Sequence, residues 1–123
     1  MLKRLSVVAW LLGLASMQAQ SAGVPRFADG DKLYGWLTSK NPIEVSMADG
    51  YILGVSDEIT FWHSEVSNDK HTKGLCLNVP AGVTGTQMHD TVKNFLEQNP
   101  AIRQLNASAQ VHLALQFAWP CKK

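Results

Sequence analysis

The stretch that decides the fold is residues 83–121, VTGTQMHDTVKNFLEQNPAIRQLNASAQVHLALQFAWPC. Thr84-Gly85-Thr86-Gln87 has the spacing of a capping box: a Thr hydroxyl covers one orphan amide of a helix start, and a Gln three residues on covers the Thr amide. Met88, Val92, Phe95 and Leu96 then recur at helical spacing, which predicts a helix over 84–98 with one apolar face. Pro100 disfavours helical backbone at Asn99, so that helix ends there. Asn99-Pro100 is itself a start signal, a cap followed by a proline at the first helical position. A second helix is expected from Ala101 to about Ala118, burying Ala107, Val111, Ala114, Leu115 and Ala118, with Pro120 ending it. With almost no connector, the two helices must fold back as an antiparallel hairpin.

The cysteines fit that geometry. Cys76 precedes the first helix of the hairpin and Cys121 follows the second, so both fall at its open end. An even pair in a small exported domain reads as a disulfide, worth about 4 kcal/mol by loop closure. A reactive or metal-binding pair is disfavoured, because no C-x-x-C spacing occurs.

Upstream, Leu33, Tyr34 and Leu37 predict a short helix over 31–39, opened by Asp29 or Asp31. Met47, Tyr51, Ile52, Val55, Ile59 and Trp62 predict a longer one over 47–62. Gly50 and Gly54 lie inside it, each costing close to 1 kcal/mol relative to Ala, which points to another backbone approaching closely. Residues 63–74 are polar and aperiodic and read as an exposed loop; 75–83 read as an extended lead into the capping box. The expected fold is all-α: a small bundle of about four helices, its C-terminal hairpin closed by the disulfide.

Residues 1–22 read as a secretory signal peptide, with Lys3 and Arg4 at the head and an apolar run from Leu5 to Met17. Small residues at Ala19, Ser21 and Ala22 allow cleavage after any of them, with Ser21 favoured. The apolar run is about 13 residues, short of the roughly 20 that span a bilayer, so cleavage is favoured over an anchor. What remains, 23–123, is the size of one domain, and with four Trp in 123 residues the chain is too apolar for disorder. Eleven Lys and Arg against ten Asp and Glu exclude the basic footprint of a nucleic-acid binder. Loss of Lys3 and Arg4 leaves the mature chain near neutrality.

Chemistry-bearing constellations are sparse. His63, His71, His89 and His112 stand in no H-E-x-x-H or H-x-H spacing, so solvated or hydrogen-bonded histidine is favoured over a metal site. No nucleophile turn of the G-x-S-x-G kind and no phosphate-cradling glycine loop occurs. Asp57 and Glu58 could pair with His63 across helical turns, but a solvated helix end explains them as well. Asn106-Ala107-Ser108 matches a glycosylation sequon, yet falls inside the expected last helix. No cofactor is called for, and an enzyme is disfavoured.

The mature sequence resembles the type VI secretion amidase immunity family, the Tai and Rap immunity proteins. Phe27-Ala-Asp-Gly-Asp-Lys-Leu33 is similar to the family's opening F-x-x-G-x-x-L, and Gly50-Tyr51-Ile52-Leu53-Gly54-Val55 to its G-Y-I-x-G-V helix. From Cys76 to Cys121, Pro80, Val83-Thr84, Gln87, Val92, Phe95-Leu96, Pro100, Arg103, Ala107, Val111, Ala114-Leu115 and Pro120 follow the family's order and spacing. Family members often carry a second cysteine pair joining the first helix to the region before G-Y-I. Here Ala48 and Trp36-Leu37 stand near those places, and both cysteines are absent together. The lead-in Leu77-Asn78-Val79-Pro80 is one residue longer than the family's usual C-x-P.

The resemblance implies a periplasmic inhibitor that binds a peptidoglycan amidase effector and covers its active site, with no chemistry of its own. It also implies a homodimer, for which Trp36, Trp62, Phe117 and Trp119 offer more apolar surface than one small core needs. The alternative from another class is a periplasmic accessory domain with no toxin partner; a small hydrolase using the His63 region is a third. The segment 62–73 is the candidate partner-binding element. Trp62 would anchor at the rim, Glu65 and Asp69 would meet basic groups, and His63, Asn68, Lys70 and His71 would offer donors. The other candidate surface is the face of the 84–98 helix around His89 and Lys93.

Overall fold

In the computed structural model the described residues are 26–65 and 77–121, the side chains of 63–65 excepted. Four α-helices follow in order: α1 (Gly30–Leu37), α2 (Pro42–Glu65), α3 (Gly85–Gln98) and α4 (Ala107–Ala118), with a 3-10 turn at Pro100–Ile102 between the last two. The described residues form no strand, only two isolated antiparallel bridges, Asp29 with Asn106 and Leu77 with Pro120. Every pair of helices is in contact. Leu33, Ile52, Val92, Leu96, Val111 and Leu115 have no exposed surface and form the shared core.

The capping box forms as expected. The Thr84 hydroxyl accepts from the Gln87 amide at 3.2 Å, and Gln87 Oε1 accepts from the Thr84 amide at 2.8 Å. Met88, Val92 and Leu96 are the buried face of α3. The other boundaries move. Asp29, not Asp31, caps α1, its carboxylate accepting from the Lys32 amide at 2.9 Å. The second helix starts at Pro42 rather than Met47, because Asn41 Oδ1 accepts from the Ile43 amide at 3.0 Å with proline in the first helical position. It runs on to Glu65, so His63, Ser64 and Glu65 belong to the helix and not to the expected loop. The rest of that loop, 66–74, and the start of the lead-in with Cys76 lie outside the described residues.

The last helix is the main correction. It begins at Ala107, not Ala101, because the backbone between them is bonded to the front of the chain. The Ala107 amide donates to Ala28 O at 3.1 Å, and Leu105 O and Arg103 O accept from the Gly30 and Asp31 amides, each at 3.0 Å. Buried Gln110 adds a bond from Nε2 to Ile102 O at 2.5 Å. Groups committed to these partners cannot join a helical ladder, and a 3-10 turn results. Asn99 offers no side-chain cap; its side-chain Nδ2 donates back to Phe95 O at 2.7 Å. The cap is Asn106, whose Oδ1 accepts from the Ser108 amide at 2.9 Å, so the sequon sits at a helix start and not in a helix interior. Ala118, expected in the buried stripe, is exposed.

Gly50 and Gly54 mark no close approach among the described residues. A Cβ on either would meet no described atom within 4 Å, and both are exposed. The close contact is at Gly30. Where the family's second cysteine pair would be, Trp36, Leu37 and Ala48 are all buried in the core, so packing joins α1 to α2.

Candidate functional site

Trp62 stands in the last turns of α2 with its side chain exposed; its indole N–H donates to Glu58 Oε1 at 3.2 Å, one turn back, and its ring meets Phe61 edge to face at 6.0 Å. Glu58 thus holds an indole, and the candidate pairing of Asp57 and Glu58 with His63 lies outside the described side chains. His63 and Glu65 follow on the same helix, their side chains outside the described set, and Asn68, Asp69, Lys70 and His71 lie outside the described residues altogether.

The second candidate surface is organised differently. His89 on α3 does not project freely: its Nδ1 lies 2.6 Å from Asp49 Oδ1 on α2. The pair floors a cleft of about 280 Å³ lined also by Val45, Thr86 and Asp90. A His–Asp pair is the orienting half of a hydrolytic triad, but no described hydroxyl is bonded to the other ring nitrogen. Here it ties two helices together. His112 on α4 sits by Glu58 in a cleft with Asn106, Ser108 and Ala109. Partial burial lowers its pKa below the ordinary 6.5, and the nearby Glu58 carboxylate opposes that shift in part. Tyr51 has its pKa raised by burial, partly offset by hydrogen bonding with Ser108.

A larger groove, about 590 Å³, runs between α3 and α4, with Phe95 and Ala114 inside and Phe117 on its lip. Phe117 is 83% exposed. Among the described residues no group of three or more His, Cys, Asp or Glu could hold a metal ion, and no helix is long and apolar enough to cross a membrane.

The sequence that builds this scaffold decides the family. The sequence model of the Rap1a immunity proteins matches residues 29–121, from the cap of α1 to the cysteine after α4. The chain belongs to the Rap1a immunity protein family. Comparison with curated proteins and with solved structures gave no match. A Rap1a immunity protein is not an enzyme; it binds and neutralises a cognate toxin.

In this Rap1a protein the sequence-level candidates therefore divide. Trp62 is exposed, whereas His89 is committed to Asp49 and Lys93 is half-buried. Sequence reasoning missed the outward side of α2, where Ile43 is 69%, Phe61 55% and Met47 44% exposed. The signal was there in the spacing of Ile43 and Met47 with Gly50 and Gly54, hidden because Met47 was assigned to the buried face.

Proposed function

We propose that this protein is exported to the periplasm, loses residues 1–22, and protects the cell by occluding a peptidoglycan amidase delivered by a type VI secretion system. The observation that carries the reading is the immunity-family match across the whole helical scaffold. The ordered likeness of residues 76–121 to the amidase immunity proteins supplies the toxin class, and the apolar leader supplies the compartment.

The mechanism is steric. Trp62, His63 and Glu65 end α2, and Asn68, Asp69, Lys70 and His71 follow it directly. A segment that leaves a packed helix loses less conformational freedom on entering a cleft than a free peptide would. The active chain is a homodimer with a Cys76–Cys121 disulfide. The bridge between Leu77 and Pro120, with the Asn78 amide donating to Trp119 O at 3.0 Å, supports that disulfide, because the two residues each adjoin a cysteine. No described cysteine is free.

The test is inhibition by purified residues 23–123 of a type VI peptidoglycan amidase encoded beside this gene. Stoichiometric loss of cell-wall cleavage is the expected result. Neutralisation of a neighbouring toxin with no amidase activity would overturn the amidase assignment. Replacing 66–72 by a Gly/Ser linker of equal length should abolish inhibition while leaving helicity unchanged.

A further inference from the structure

Phe117, at 83%, is the most exposed large apolar side chain among the described residues, and it stands on the lip of the groove between α3 and α4. Leu113, one turn earlier on α4, is 46% exposed. Phe95, Ala114 and Ala118 wall the groove, together with the exposed amides of Asn94 and Gln98. A knob and a socket thus lie side by side on one face. Large apolar groups gathered in this way mark a surface that another molecule covers.

Charge says which molecule. Along its 12 residues α4 carries no Asp, Glu, Lys or Arg, and none of the residues lining the groove is ionisable. The charged residues of α3, Asp90, Lys93 and Glu97, do not line it. By contrast, α2 holds five of the chain's ten acidic residues and none of its eleven Lys and Arg. Two copies meeting through α2 would set carboxylate against carboxylate, whereas two meeting through the α3–α4 face bring no charges together. The amides add to the match. Asn and Gln each offer donors and an acceptor, so either can pair with its own copy across a two-fold axis, which two carboxylates cannot do.

We propose that the α3–α4 face is the self-association surface of this protein: a second copy docks on it about a two-fold axis beside Phe117, and the Phe117 ring of each copy enters the groove of the other. Such a contact is isologous, one patch supplying both knob and socket, so it closes as a dimer and does not propagate. The acidic α2 stays outside the interface. The inference rests on the homodimer reading and adds the face through which the dimer forms.

The test is sedimentation and light scattering of mature residues 23–123 over a range of concentrations, with circular dichroism as the check on folding. The wild type should be a dimer. Phe117→Gln removes the knob and keeps a good helix former at an exposed position. Asn94→Lys/Gln98→Lys sets like charges around the groove, while lysines toward the C-terminal end of α3 suit its dipole. Each variant should raise the dimer dissociation constant about tenfold or more with helicity unchanged. A wild-type dimer that either variant leaves intact overturns the face and leaves the homodimer reading standing. A wild-type monomer at every concentration overturns both. A monomer whose affinity for the toxin encoded beside the gene falls in Phe117→Gln assigns the groove to the toxin, which also overturns the proposal.

Discussion

Gly30 and Arg103 meet backbone to backbone: a Cβ on Gly30 would lie 2.7 Å from the Arg103 carbonyl oxygen. The Arg103 carbonyl is also the acceptor for the Asp31 amide, so it cannot move away without losing a bond at the start of α1. Gly30→Ala should therefore destabilise by about 1–3 kcal/mol through overpacking, although alanine is the better helix former. Gly50→Ala and Gly54→Ala, whose added Cβ would meet no described atom within 4 Å, should each stabilise by up to about 1 kcal/mol. Chemical denaturation of the three variants checks the contrast; equal effects at all three positions would refute it.

Arg103 is the joint between α3 and the front of the chain. Its Nε donates to Leu96 O at 2.6 Å and its Nη2 to Glu97 O at 3.3 Å, covering carbonyls at the end of α3, while the guanidinium lies 3.9 Å from the Tyr34 ring centre. Lysine keeps the charge but not the planar fork. Arg103→Lys should lose about 1–2 kcal/mol, measured as a shift of the urea midpoint at constant slope.

The caps of α3 and α4 are equivalent devices with different residues. Thr84→Ala and Asn106→Ala should each cost about 1 kcal/mol. Because Thr84 caps a reciprocal box, Gln87→Ala in the Thr84→Ala background should cost less than in the wild type. Strict additivity in that double-mutant cycle would argue against the box.

His112 gives the fold a pH dependence of known sign. Its pKa is lowered in the folded chain, so between that value and 6.5 the unfolded chain binds more protons and stability rises with pH. The contribution is complete above about 6.5 and is lost as pH falls through the folded value. His112→Gln should flatten the fall in melting midpoint on acidification from pH 7. A steeper fall in the variant would contradict the assignment.

Mass spectrometry of alkylated, non-reduced periplasmic protein checks the proposed Cys76–Cys121 link. No alkylated cysteine is the expected outcome; two would exclude the bridge. Light scattering over a range of concentrations tests the homodimer, which a constant monomer mass would exclude.

Local signals were enough wherever the chain's bonding is local. The Thr84–Gln87 box, the stop before Pro100 and the buried spacing of Met88, Val92 and Leu96 could all be read in order, since each depends on residues within one or two turns. The ordered pattern of residues 76–121 also carried the family likeness. Tertiary structure decided what the same residue types did elsewhere. Asn41-Pro42 and Asn99-Pro100 are the same dipeptide, yet the first opens a 24-residue helix and the second a 3-residue turn. The difference is that Ala28, Gly30 and Asp31, some 70 positions away in sequence, take the backbone bonds that a helix from Ala101 would have used. The glycines follow the same division. Helical cost is visible in sequence at Gly50 and Gly54, but only the packed chain shows that the crowded glycine is Gly30 and that these two face outward. Crowding depends on which distant atoms arrive, and no local period encodes it.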